Sequence, residues 1–497
     1  MFRPLPLAAA LPLAMSMAWS QSSYAECIED PAETVICAAD DSNGFDDDSR
    51  DDMDITVNAG VTVSNDGEAI RVDDDLTLLN NGIITSSGDD GVQADNDANI
   101  TNNGSIFSTA DEDDGIQVGS DAVIVNNGTI ASTKDGVNAE EGLQLTNALG
   151  GAIAGDDDGV QAEDDATVVN HGTITSGDKG IDTEGFDNLD VTNTGLIDAG
   201  DKGIRAGADD DGEGGNGFVL SNSGTITAGD EAIEAGDAAA IDNSGTIVSG
   251  GDDAIQLGED AFIFNAESGQ ILSAGGDGID VDSGLIINEG VIRSTAEGEA
   301  GIDVDEGDSG LEIINTGEIS GEYGILVENG LTDPVVDPAN VQSQTVSNYG
   351  LIEGTGGTAL SLWEGDDTLN LFDGSTIVGD AYFGGDNDSL NLLGSDLGLV
   401  ANLFDGGEGL DTVDFGLNLF SNVQSLFWDG SVFDLTYAVD DVSWDLRLSN
   451  WEQFYFNDVS FDSVDAFRAV ATYVPLPSTL GLLALGALAL APRRRRR

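Results

Sequence analysis

Basic residues are scarce: 15 lysines and arginines stand against 94 aspartates and glutamates in 497 residues, a net charge of −79. Such a chain repels nucleic acid, anionic lipid heads and polyuronate sugars alike, so nucleic acid is excluded as a partner and cations are invited. With a single histidine and two cysteines, it shows no zinc-ligand cluster. It also has no phosphate-binding loop and no serine nucleophile motif. Proline is rare, 9 residues against 67 glycines, which excludes a Pro-rich linker protein and fits tight turns repeated many times. What is plentiful is apolar. Hydrophobic residues make up 40% of the chain and recur periodically, so a buried core is expected despite a charge that in a less apolar chain implies disorder.

The two ends read as addresses. Residues 1–25 carry an early positive charge at Arg3, an apolar middle and the small residues Ser23 and Ala25 around a cleavage point, the pattern of a secretory signal peptide. An acidic segment, 26–54, follows. Its cysteines, Cys27 and Cys37, are expected to pair in the oxidising compartment that such a leader implies. At the other end, 474–497, the box Val474, Pro475, Leu476, Pro477 precedes an apolar run from Leu480 to Ala491 and a basic tail, Arg493, Arg494, Arg495, Arg496 and Arg497. The run is shorter than the ~20 residues of a full membrane span, and five arginines favour a cytoplasmic terminus. Proline box, short helix and arginine cluster in this order resemble the PEP-CTERM sorting signals of Gram-negative bacteria, with Leu476 in place of the usual glutamate. The resemblance implies transient anchoring in the inner membrane, processing by an exosortase-type enzyme, and delivery to the cell surface or extracellular polymer; the alternative reading of the same residues is a simple permanent anchor.

Between the ends one phrase recurs: an apolar pair, Asn, a variable residue, Gly, another variable residue, Ile. Its asparagines are Asn80, Asn102, Asn126, Asn170, Asn193, Asn222, Asn243, Asn288, Asn315 and Asn348, with looser versions at Asn58, Asn147 and Asn265. Most intervals are 21 to 24 residues, the mark of a repeat architecture. Each unit holds three short β-favouring pieces separated by Gly, Asn and Asp, as in AVIVN, TIAS and GVNA between Ala122 and Ala139. The fold class expected is therefore all-β: a parallel β-helix over residues 55–360 with roughly 12 or more coils, a rod of roughly 60 Å at ~4.8 Å per coil. Ile and Val stack inside it, and the asparagines turn the chain and bond to their neighbours above and below. The body pattern resembles autotransporter passengers.

A second phrase, Asp-Asp-Gly-Val/Ile-Gln, places Asp89 and Asp90, Asp113 and Asp114, Asp157 and Asp158, and Asp252 and Asp253 in register. Carboxylates ~4.8 Å apart repel by roughly 0.9 kcal/mol even in bulk water, so a long column opposes its own stacking. Lys134, Lys179 and Lys202 share this turn but are too few to balance it. Calcium and a solvated acidic face both answer to the pattern. Further on, Gly406 to Val413 fits the G-G-x-G-x-D-x-apolar nonapeptide and resembles RTX calcium-binding β-rolls, with partial copies at Gly365–Leu369 and Gly384–Leu390. That resemblance implies calcium at Asp366, Asp367, Asp386, Asp388 and Asp411.

Residues 361–473 gain Trp363, Trp428, Trp444, Trp451 and many phenylalanines, read as β-rich terminal coils with an aromatic cap, or else as a sugar-binding platform. His171 falls in the variable slot of the Asn phrase, an exposed position. The irregular stretch Ala208–Gly217 reads as a loop or a bulge. Carboxylate pairs repeated everywhere mark no special pair for glycoside chemistry, and a uronate lyase lacks its cations here. The expectation is a non-enzymatic structural or adhesive surface protein that binds extracellular polysaccharide or another surface polymer. The alternatives are a polysaccharide-active enzyme and a calcium-dependent carbohydrate-binding module.

Overall fold

The computed structural model describes residues 27–473, except 31–32, 48–49, 184, 186, 208–215, 306–308, 328–341, 400–401 and 440–441. The chain winds as a parallel β-solenoid of about 15 turns with almost no helix. One coil shows why. Val123–Asn126, Thr129–Ala131 and Val137–Ala139 are three short strands, each too small to bury a face alone. Each lies parallel and in register on its successor, so that Ile124 faces Leu145, Ile130 faces Ile153 and Val137 faces Val160. Period-2 alternation aims those side chains inward and their neighbours at water.

The interior is consequently a set of stacked apolar columns. At the inward site of the middle strand every coil from Ile84 to Ile377 carries isoleucine, fully buried. Burying one such side chain contributes about 1.5–3 kcal/mol, and identical neighbours pack alike, so the column also fixes register.

The asparagines close the first strand of each coil and point inward. Asn80 Nδ2 donates to Asn102 Oδ1 at 2.8 Å, Asn102 to Asn126 at 2.8 Å and Asn126 to Asn147 at 2.9 Å. The chain of amides then runs unbroken through Asn170, Asn193, Asn222, Asn243, Asn265, Asn288 and Asn315 to Asn348. A second amide hydrogen reaches the carbonyl that opens the middle strand one coil on, as from Asn102 to Thr129. Each Oδ1 also takes the N–H two residues ahead in most coils, as Gly172 donates to Asn170. The glycine of the phrase follows from close stacking: a Cβ at Gly128 would lie 2.0 Å from the Gly104 carbonyl oxygen.

Two sequence readings need correction. Asn147 and Asn265 are full ladder members, whereas Asn58 is exposed and outside it. Val57 holds the equivalent site, opposite Asn80 and, one coil earlier, Cys37. The solenoid accordingly starts before residue 55. Thr34–Cys37 already lies parallel on Asp54–Val57, and Phe45–Asp47 on Ile70–Val72, so the described strands of the acidic segment already belong to the solenoid. Cys27 and Cys37 are joined by a disulfide, tying the antiparallel strand Ile28–Asp30 across this first coil. The long interval before Asn222 leaves register intact, because Ile204 still faces Ile233 and Asn193 still faces Asn222. Most of the irregular stretch, 208–215, lies outside the described residues.

At the far end the regular coil-on-coil stacking ends where Thr412–Asp414 meets Gln453–Tyr455, and beyond it only the short strand Thr472–Tyr473 still pairs parallel, on Phe427 and Trp428. Val423–Trp428, Phe433–Val439 and Val442–Ser449 then form an antiparallel meander, and the short helix Val464–Arg468 inserts Phe467 among Phe420, Phe433, Phe454 and Phe461. Antiparallel hairpins and a plug of aromatics hide the last apolar faces and the open strand edges. Trp451 is 2% exposed and donates Nε1–H to the Phe404 carbonyl at 2.9 Å. Trp451→Ala is expected to cost about 3–5 kcal/mol, read as loss of hydrogen-exchange protection in residues 403–467 first. Among the described residues no helix is long and apolar enough to cross a membrane. Residues 1–25, read above as a leader, and residues 474–497, read as a sorting tail with Val474, Pro475, Pro477 and Arg493 to Arg497, lie outside the described residues.

Candidate functional site: the columns of acidic turns

The Asp-Asp-Gly turns stack as expected, but they do not all face solvent. The second carboxylate of each pair turns in, as does Asp135 after Lys134: Asp90, Asp114, Asp135, Asp158 and Asp253 are all under a tenth exposed. The reason is an unpaid backbone donor. Between strands the peptide N–H of one coil points at the turn of the coil before, and the buried carboxylate accepts it: Asp90 Oδ1 from Asp114 N at 2.8 Å, Asp114 from Asp135 at 3.2 Å, Asp135 from Asp158 at 3.1 Å, Asp158 from Lys179 at 2.9 Å. Burial pushes the carboxyl of Asp90 up to about 7, Asp158 to about 7, Asp253 to about 7 and Asp114 to about 6, with neighbouring carboxylates adding and the backbone N–H opposing. The lysines of this column sit where expected. Lys134 Nζ lies 3.3 Å from Asp114 and 3.2 Å from Asp135, Lys179 lies 2.7 Å from Asp178, and Lys202 lies 2.6 Å from Glu234.

The five aspartates expected to hold calcium divide into two sets. Asp367, Asp388 and Asp411 are 0–1% exposed and stacked, immediately before the paired strand residues Thr368, Ser389 and Thr412. Asp366 and Asp386 are exposed on the loop outside. Asp366 Oδ1 accepts from Asn387 N at 2.9 Å and Asn387 Nδ2 at 3.1 Å, an outer clasp between loops. Burial first, and then the neighbouring carboxylates, raise Asp367 to about 9, Asp388 to about 7 and Asp411 to about 6.

A further column escaped the sequence reading. The outward residue of the third strand in successive coils is Gln93, Gln117, Asn138, Gln161, Asp182, Arg205 and Glu234. Amides bond along its lower part, Gln93 to Gln117 at 2.7 Å and Asn138 to Gln161 at 3.0 Å. Gln93, Gln117 and Asn138, with Asp95, Asn96 and Glu140, line a half-open polar groove of about 450 Å³. The signal was the final residue of the acidic phrase itself, legible only once the phrase is placed on a strand. Near the far end the same column reaches Asp280, whose carboxyl burial and the charges of Asp305, Asp253, Asp303 and Asp277 raise to about 9.

Residues 47–269 match the model of the BigA third pectate lyase-like domain. That stretch holds the groove and the Asp-Asp-Gly column through Asp253, and ends before Asp280 and the aspartates at 367–411. A pectate lyase-like β-helix fits an extracellular surface or polysaccharide-related protein, and the BigA match agrees with the solenoid just described. No curated protein and no solved structure matches the chain. His171 is exposed, its Nδ1 2.8 Å from the Thr194 hydroxyl on the next coil, as its variable slot implied. Of the tryptophans, Trp444 and Trp451 are buried at 3% and 2%, which withdraws them from any sugar platform, while Trp363 is 42% exposed.

Proposed function

We propose that this protein is a non-catalytic scaffold of the cell surface or extracellular matrix, exported by its leader and delivered through the tail 474–497 by an exosortase-type enzyme. The observation that carries the reading is the unbroken amide ladder from Asn80 to Asn348, which makes one stiff rod of near-identical coils with no coil singled out for chemistry. The raised carboxyls argue the same way. In a glycosidase a raised acid faces a second carboxyl across a substrate cleft, whereas Asp90, Asp114 and Asp158 cap backbone N–H groups coil after coil. The acidic surface is a poor host for anionic polymers. The polar groove at Gln93, Gln117 and Asn138 supports contact with a neutral extracellular polysaccharide, whose hydroxyls suit amides and carboxylates.

The test is made in the cell that produces the protein. Replacing Arg493–Arg497 by alanine is expected to shift the chain from the surface and extracellular fractions to the inner-membrane fraction. Purified full-length protein is expected to leave neutral and acidic polysaccharides undegraded. Surface delivery unchanged by the arginine replacement overturns the sorting route, and depolymerisation of any polymer overturns the non-catalytic reading.

A further inference from the structure

The first strand of each coil alternates inward and outward side chains, and along most of the rod the outward pair is polar. Asn99 with Thr101, Gln144 with Thr146, Thr345 with Ser347 and Ser389 with Asn391 are such pairs. Two neighbouring coils break the pattern. Ala261–Asn265 reads AFIFN and Gly284–Asn288 reads GLIIN, apolar on both faces, and Leu311–Asn315 reads LEIIN with one outward acid. A strand apolar on both faces is the mark of a sheet covered on both faces, yet here the outer side meets solvent. Phe262 is 41% exposed, and Val219, two coils below, 45%.

Register gathers these side chains into one patch. Val219, Ala240, Phe262 and Leu285 follow one another in one outward column, and Phe264, Ile287 and Ile314 in the other. Ser221 and Asp242 bound the second column below, and Ser347 bounds it above, beside Glu312 in the first. Five coils at ~4.8 Å, with strands about four residues wide, give a flat face on the order of 300 Å². Exposed apolar patches of about this size on soluble proteins are often functional.

Charge selects the occupant. The chain carries −79, but neither outward column holds a lysine or arginine from Thr34 and Ile36 to Gln453 and Tyr455. An anionic partner is repelled by the rod and finds no cation on this face, and a cationic one is drawn to the acidic turns instead. A second copy brings its own −79 to a face well short of the ~800 Å² per partner that a stable protein interface buries. What fits is an uncharged partner with flat apolar surfaces.

We propose that this face, centred on Phe262, Phe264, Leu285 and Ile287, docks on an ordered neutral polysaccharide. Each pyranose ring of such a polymer presents C–H groups on its faces and hydroxyls at its edge. The C–H faces suit phenyl and aliphatic side chains held flat by the sheet, and the hydroxyls suit the serines and carboxylates that bound the patch. The inference rests on the scaffold reading and adds to it a second contact surface, on another strand and other coils than the groove at Gln93.

The experiment is co-sedimentation of purified full-length protein with microcrystalline cellulose and with chitin, pectate gel serving as the anionic control. Retention on cellulose or chitin is expected to persist between about 0.1 and 0.5 M salt, because the contact is apolar, and none is expected on pectate. Phe262→Thr with Phe264→Thr introduces the residue that Thr345 and Thr101 supply in the same two columns and leaves the inward face intact. It is expected to weaken retention by about tenfold or more, and Gln93→Ala to leave it within about twofold. If the double variant does not fold, Ile287→Thr, one β-branched side chain for another, is expected to cost about fourfold. Retention of the parent on neither polymer, retention lost at the higher salt, or retention unchanged in these variants each overturns the proposal. So does a dimer in sedimentation velocity that the phenylalanine variant dissolves, which makes a second copy the occupant. Loss in Gln93→Ala alone overturns this surface and leaves the groove's polysaccharide contact standing. Retention accompanied by breakdown of the polymer supports this surface and overturns the non-catalytic reading.

Discussion

Lowering the pH from about 8 to 5 in the presence of chelator is expected to raise the melting temperature, by about 5–10 °C once solvent screening and partial opening are discounted. Most proteins lose stability toward acid because their carboxyls are depressed in the folded state. Here the sign is reversed. Asp90, Asp158 and Asp253 rise to about 7 and Asp114 to about 6, against 3.8 as the ordinary value. Groups raised in the fold bind protons more tightly folded than unfolded, so between about pH 4 and 7 the folded chain carries the excess protons and stability falls as pH rises. For these four the loss is complete above about 7, while Asp280 and Asp367, raised to about 9, carry it further toward alkaline pH. The groups facing each carboxyl set the size of the effect. Asp90 meets Asp114, Asp89 and Asp113, and Asp253 meets Asp277, Asp252 and Glu231, all of which favour protonation. Asp114 and Asp158 also meet Lys134 and Lys179, whose attraction opposes protonation, and Asp114, raised only to about 6, is the weakest contributor of the four. Asp373 and Asp429, lowered by backbone N–H donors, act the other way only below about 4, outside this window. A melting temperature that is flat, or that climbs from pH 5 to 8, is incompatible with the buried carboxyl column.

The fold was legible because each coil repeats a side-chain position rather than a mere composition. Asn-x-Gly-x-Ile states an inward amide, a site too tight for a Cβ, and an inward isoleucine, all within five residues. Where a coil reaches the same geometry with other residues the phrase fails: Cys37 and Val57 fill the ladder site at the start and Leu371 and Leu392 at the end. Asn58, one residue too late, then misplaces the boundary. Burial of the second aspartate was not legible, since its partner N–H lies 21 to 24 residues away and two adjacent acids read as solvated. For the same reason Asp366 and Asp386 could not be told from Asp367, Asp388 and Asp411. A nonapeptide match counts carboxylates without saying which way they face, and facing is decided by the neighbouring coil.

The amide ladder sets the second large effect. Asn170 donates to Asn193 Oδ1 at 2.9 Å and the Leu196 carbonyl at 3.0 Å, and accepts from Asn147 Nδ2 at 2.8 Å and Gly172 N at 3.2 Å. Asn170→Ala strips partners from both adjoining coils in a dry interior. Each orphaned group costs about 1–3 kcal/mol, so a local loss of about 3–5 kcal/mol is expected, cavity included. A solenoid is coupled mainly to nearest neighbours, so the damage has a shape as well as a size. Amide exchange is expected to quicken in residues 145–197 and to keep its original rate in the coil beginning at Asp54 and in the aromatic cap. Asn127, one place past the ladder, is exposed, and its side chain donates outward to Asn103 Oδ1 at 3.0 Å. Asn127→Ala is expected to change stability by less than about 0.5 kcal/mol. Equal exchange in the two variants would mean that the inward amides carry no more of the fold than the outer ones. A uniform rise from end to end would mean that the rod melts as one unit, and the nearest-neighbour description would have to be given up.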